Sequence, residues 1–122
     1  MTKGTVLIVD DEQAIRESLS MVLEDEGFIC LTAANGKIAL DIFKKNAIDI
    51  LITDIHMPVM NGLELFEEVR KLSPATRTII ITAYSETDTA IKTINEGAAG
   101  YFIKPLDFDE LIERIKVIKD QK

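Results

Sequence analysis

The chain has one cysteine, one histidine, no concentration of basic residues and no apolar run long enough to span a bilayer. Each scarcity removes a class of function. Cys30 alone supports neither a disulfide framework nor a cysteine metal cluster, and a reducing cytoplasm is the expected setting. His56 has no serine or cysteine placed to complete an acyl-transfer triad. Lys and Arg number 14 against 21 Asp and Glu, a formal net charge of −7, so direct contact with nucleic acid is not expected. No glycine-rich loop closes in Gly-Lys-Ser/Thr, which removes the P-loop nucleotidases. No signal-peptide pattern, repeat, low-complexity stretch or linker interrupts the sequence, and no membrane association is expected.

What is present is a regular alternation. The 122 residues, 47% of them apolar, suffice for one domain with a substantial core, and a single domain over 1–122 without an output domain is expected. Short apolar runs at 5–9, 28–33, 48–53, 78–82 and 101–103 read as strands, with helical patterns between them. Helix 1, about 12–26, places Ile15, Leu19, Val22 and Leu23 on one face and stops at Gly27. Helix 2 follows Asn35-Gly36 and carries Ile38, Ala39, Ile42 and Phe43 at helical spacing. Helix 3 carries Leu65, Phe66, Val69 and Leu72 and is broken by Ser73-Pro74. Helix 4 starts near Ser85, where Ser-Glu-Thr-Asp resembles a capping box, and stops at Gly97. Helix 5 is capped by Asp107 with Glu110 at N3, and buries Leu111, Ile112, Ile115 and Ile118. Buried strands joined by helices imply an α/β fold with a five-stranded parallel sheet, doubly wound by five helices. The expected strand order is the flavodoxin-like 2-1-3-4-5, with its switch point between strands 1 and 3.

In such sheets ligands bind beyond the carboxyl ends of the strands. Strand 1 ends in Asp10 and Asp11, strand 3 in Asp54, strand 4 in Thr82, and strand 5 is followed by Lys104. Three carboxylates converging at the switch point raise one another's pKa values unless a hard cation joins them, and Mg²⁺ suits such a set. Asp11 alone could be explained as the cap of helix 1; that leaves Asp10 unexplained. Three acids, a metal, a lysine and a hydroxyl suit the handling of a phosphoryl group, whose charge must be neutralised during transfer. Asp54, a single acid facing the pair, is the best candidate nucleophile, with Asp10 and Asp11 holding the metal.

The set Asp10-Asp11, Asp54 followed by Met57-Pro58 and Gly62, Thr82-Ala83 and Lys104-Pro105 resembles the receiver domain of two-component response regulators, the chemotaxis-regulator-like fold. The resemblance covers the whole chain, and the motifs occur in order at four strand ends. It implies that Asp54 takes a phosphoryl group from a phosphohistidine on a sensor kinase or phosphotransfer protein. It implies that Mg²⁺ is bound by Asp10, Asp11, Asp54 and the backbone carbonyl of His56. Lys104 would pair with the phosphoryl group, Thr82 would hydrogen-bond it, and Tyr101 would turn inward as Thr82 moves. The Lys104-Pro105 bond would be cis. The helix 4–strand 5–helix 5 surface would present the changed state to a downstream protein or fused output domain, with room for a homodimer on phosphorylation. His56 and Tyr84 match positions that tune hydrolysis, and a bulky Tyr84 is expected to lengthen the life of the phosphorylated form. The chain is then a stoichiometric phosphoacceptor with self-catalysed transfer and slow self-dephosphorylation, not a turnover enzyme.

Three rivals share parts of this pattern. A haloacid-dehalogenase-type phosphatase needs an aspartate two residues after its nucleophile, where this chain has His56. A flavodoxin must cradle a phosphate in the first loop, which Asp10-Asp11-Glu12 would repel. A receiver-like module that binds partners without phosphorylation would be favoured by a missing acid or lysine, and all five site residues are present.

Overall fold

A computed structural model of the chain describes residues 3–83 and 87–120. Strands β1 (Thr5–Val9), β2 (Ile29–Ala33), β3 (Ile50–Asp54), β4 (Arg77–Thr82) and β5 (Gly100–Ile103) alternate with helices α1 (Gln13–Asp25), α2 (Gly36–Lys45), α3 (Gly62–Leu72), α4 (Thr87–Asn95) and α5 (Phe108–Asp120). All strand pairs are parallel, in the order β2-β1-β3-β4-β5. That is the doubly wound order expected from the alternation.

The two-residue period of the strands sorts the core into layers. Val6, Ile8, Ile50, Ile52, Ile79 and Ile81 meet Leu19 and Leu23 of α1 and Leu111, Ile115 and Ile118 of α5. Leu7, Val9 and Leu51, from the opposite face, meet Ala39 and Phe43 of α2 and Leu65 and Val69 of α3. A smaller cluster of Ile55, Phe66, Ile80 and Ala98 lies towards α4, with Tyr101 packed against it.

Local signals explain the helix starts. Asn35 Oδ1 accepts the Ile38 N–H at 2.9 Å, and Asn61 with Glu64 forms a reciprocal capping box. Asp107 Oδ1 accepts the N–H groups of Asp109 and Glu110, which makes it the expected cap of α5. The expected box at Ser85 lies outside the described residues. Helix α1 differs from the expectation. Its cap position is Glu12, without a side-chain cap bond, so Asp11 is not the cap.

Other limits move for physical reasons. Strand β3 begins at Ile50, because Ile48 and Asp49 are used in the approach: Ile48 is buried among α2 and α3 residues, and Asp49 Oδ2 accepts the Thr5 N–H at 2.8 Å. The strand runs one residue further than expected and includes Asp54, which pairs in register with Ile81. Ile38 and Leu72 have the spacing of core residues but are 45% and 51% exposed, since they lie at the margins of their helices' buried faces. Among the described residues no helix is long and apolar enough to cross a membrane.

Candidate functional site

The same period that builds the core aims the site. Asp10 continues the Val6–Ile8 row of β1 and Asp54 continues the Ile50–Ile52 row of β3, so both carboxylates leave the sheet on the α1/α5 side. Backbone bonds hold the strand ends together. Asp10 N–H donates to the Ala33 carbonyl at 3.2 Å, and Lys104 N–H donates to the Thr82 carbonyl at 2.7 Å. The Lys104–Pro105 bond is cis, as the resemblance implies.

Lys104 Nζ lies 2.8 Å from Asp10 Oδ2, 2.9 Å from Asp54 Oδ2 and 3.1 Å from Glu12 Oε1. The contacts to Asp54 and Glu12 are hydrogen bonds, whereas Asp10 Oδ2 is fully buried and makes an ion pair off the hydrogen-bonding direction. Asp10 is wholly buried and Asp54 is 5% exposed, while Asp11 and Glu12 face solvent. Burial pushes the Asp10 carboxyl above its ordinary value, against the pull of Lys104 and of the Glu12 N–H. For Lys104, burial opposes the charged form, but Asp10, Asp54 and Glu12 together outweigh it and hold the ammonium well above the usual lysine range.

One carboxylate oxygen each from Asp10, Asp11, Glu12 and Asp54 lies within 4.8 Å of the others. The donors are all hard oxygens, and one of them, Asp10 Oδ2, is buried without a hydrogen bond. That chemistry fits a magnesium ion, which takes carboxylate oxygens and keeps several waters. His56 is exposed, and its N–H donates to Asp54 Oδ1 at 3.2 Å; its ring is not among the acidic donors.

Gly62 shows why the loop after Asp54 needs a glycine. A Cβ there would collide with the Asp54 carbonyl oxygen and lie 2.8 Å from its carbon. The Gly62 N–H meanwhile donates to Ile55 at 2.9 Å. The loop therefore folds directly back on the backbone that carries Asp54. Met57 and Met60 pack beneath it, against the α2/α3 layer.

The chain belongs to the response regulator receiver domain family, whose profile it matches over residues 6–116. This is a signalling domain of two-component systems. The receiver is 38% identical over 116 residues to sporulation initiation phosphotransferase F of Bacillus subtilis, covering 95% of this chain and 94% of that protein. It is 36% identical to the DNA-binding transcriptional regulator NtrC of Escherichia coli over 95% of this chain. The receiver spans only 25% of NtrC's length, about a quarter of that and similar curated relatives. Among solved structures, a receiver domain protein from Clostridium thermocellum superposes with a TM-score of 0.90 at 33% identity, covering 97% of this chain and 95% of that one. The response regulator TrrA of Thermotoga maritima, solved with Mg²⁺ and BeF, gives 0.85 at 39% identity over 97% and 99%.

Of the residues singled out in the receiver's sequence, Asp10, Asp11, Asp54 and Lys104 come together. Thr82 ends β4, fully buried, paired in register with Ile103. Tyr101 is half-buried against the Ile55, Phe66, Ile80 and Ala98 cluster. Tyr84 lies outside the described residues. Two neighbours of the site were not singled out: Glu12, which reaches Lys104, and Arg16, whose Nη1 donates to the Asp10 carbonyl at 2.7 Å. Adjacency to the acid pair marks Glu12, and its distance of one helical turn from Glu12 marks Arg16.

Proposed function

We propose that the receiver accepts a phosphoryl group on Asp54 from a phosphohistidine of a sensor kinase or phosphotransfer protein, and that this charge switches its α4–β5–α5 face. An Asp54 carboxylate oxygen attacks phosphorus, the phosphorus–nitrogen bond breaks, and the histidine nitrogen leaves with the electron pair. Asp10, Asp11 and Asp54, with the His56 carbonyl, would hold Mg²⁺, which neutralises charge on the transferring oxygens when bound. Lys104 adds a fixed positive charge from the β5 side and needs no large movement to reach an oxygen on phosphorylated Asp54. The reading is carried by one observation: a lysine ammonium within 3 Å of both buried carboxylates, from three different strand ends.

Thr82 then hydrogen-bonds the phosphoryl group, and Tyr101 follows it inward. The output side has the character of a docking surface, since Ile91 and Ile94 of α4 and Ile103 of β5 are 55%, 45% and 46% exposed. It would meet a downstream protein, a fused output domain or a second receiver, in the cytoplasm. Residues 1–122 act as one receiver unit that is charged and discharged without turnover of its own. The position of Tyr84 in the sequence matches one that tunes hydrolysis, and a bulky residue there would slow the loss of phosphate; a Tyr84→Ala variant that loses phosphate no faster would remove that role.

The test is intact mass after incubation with Mg²⁺ and acetyl phosphate. A Mg²⁺-dependent gain of one phosphoryl group, lost in Asp54→Ala, is the expected result. No gain with acetyl phosphate or with kinase donors would leave a module that binds partners without phosphorylation.

A further inference from the structure

Lys104 is held by three carboxylates, and two of them have another task on the reading just proposed. A lysine ammonium has three N–H donors. Asp54 and Glu12 take two of them as hydrogen bonds, and Asp10 Oδ2 pairs with the ammonium at 2.8 Å off the hydrogen-bonding direction. When Asp10 and Asp54 turn towards a cation and a phosphoryl group, the lysine loses two partners and keeps one. We infer that Glu12 is a positioning residue: it holds the Lys104 ammonium over the acid site with two donors free for the phosphoryl oxygens. This rests on the receiver function proposed above.

The local structure supports the role. Glu12 stands at the cap position of α1, where a side chain ordinarily accepts the helix's own N–H groups. It makes no such bond. Its N–H is held by Asp10 Oδ1 at 2.9 Å, and its carbonyl accepts the Arg16 N–H at 3.2 Å, so the base of the side chain is fixed. The carboxylate is left to reach across to a residue 92 positions away. Glu12 is 61% exposed on its side chain against 10% for Lys104, so the pair is screened on one side and its effect is modest.

The bland alternative is that Glu12 only adds negative charge to the cluster. Charge and reach are separable. Glu12→Gln keeps the length and removes the charge. Glu12→Asp keeps the charge and loses one methylene of reach.

The experiment measures affinity for beryllofluoride at saturating Mg²⁺ by fluorine NMR, and affinity for Mg²⁺ alone by calorimetry. It uses wild type, both Glu12 variants, and the same variants on Lys104→Gln. Positioning predicts that Gln and Asp each weaken beryllofluoride binding about threefold, while only Gln weakens Mg²⁺. On Lys104→Gln the Glu12 substitutions should have no further effect on beryllofluoride. Wild-type beryllofluoride affinity in Glu12→Asp, or an undiminished loss in the absence of Lys104, overturns the inference. If Lys104→Gln abolishes binding, the contrast between Asp and Gln decides. Failure of wild type to bind beryllofluoride with Mg²⁺ would instead overturn the receiver function itself.

Discussion

Ile52 and Asp54 sit two residues apart on β3, on the same face of the sheet, 0% and 5% exposed. One is packed among the aliphatic residues of α1 and α5; the other is held against Lys104. Burying the isoleucine stabilises the fold by roughly 2–3 kcal/mol, whereas burying a carboxylate costs free energy unless a partner offsets it. The same contrast recurs on β1, between Ile8 and Asp10. The strand middles hold the protein together, and the strand ends draw on that stability to keep like charges close. The proposed phosphoryl chemistry would use this opposition, because carboxylates buried together at a cost are ready to take a cation.

The contrast is sharpened most by Gly62, where site and backbone meet. Gly62→Ala places a methyl group against the Asp54 carbonyl, and that neighbour is backbone that cannot turn aside. The expected loss is about 4 kcal/mol or more in urea unfolding, larger than the roughly 3 kcal/mol expected for Ile52→Ala. The difference would show that the loop behind Asp54 is as rigidly required as the core. A Gly62→Ala loss under 1 kcal/mol would break that part of the comparison.

The second test removes the counterion. Lys104→Gln leaves Asp10 and Asp54 buried without their cation, and about 2 kcal/mol of stability is expected to go at neutral pH. Millimolar Mg²⁺ should restore more stability to the variant than it adds to wild type. The pH dependence has a definite sign. The folded lysine holds its proton more tightly than the ordinary 10.5, so its contribution is fully present below that value and is lost as pH rises above it. Wild type should therefore lose stability more steeply than Lys104→Gln in that alkaline range. Equal slopes would mean that the three carboxylates do not act on the lysine as their distances indicate.

Much of this opposition is legible in the sequence. Val6–Val9 and Ile50–Ile52 are unbroken apolar runs, and the acids stand where those runs stop, so strand ends and charged ends can be read together. Lys104 is legible for the same reason, after the short β5. What is not legible comes from contacts between distant residues. Glu12 reads as one more surface acid until the residue before α1 and the residue after β5 meet at the site. Leu72 has helical spacing with Val69, yet α3 ends there and leaves it about half exposed; periodicity reports a face, not where cover runs out. β3 starts two residues later than its apolar run indicates, because Ile48 is buried like a strand residue while its backbone is not yet in the ladder.

The smallest expected effect has the opposite sign. Asp10 has its carboxyl raised chiefly by burial, so the folded state binds that proton more tightly than the unfolded chain does. Stability contributed at this position is therefore greatest in acid and falls as pH rises from the ordinary 3.8 through the raised folded value. At neutral pH the ionised group works against folding. Asp10→Asn removes the charge but keeps an oxygen able to accept the Glu12 N–H, and Lys104 retains Asp54 and Glu12. The variant should gain about 1 kcal/mol at pH 7 without metal, with the gain vanishing towards pH 3. Added Mg²⁺ should narrow the gap from the other side, since it stabilises the intact acid set more than the depleted one. A destabilised Asp10→Asn at neutral pH would mean that the Lys104 pairing more than offsets the burial, and that this strand end supports the fold instead of opposing it.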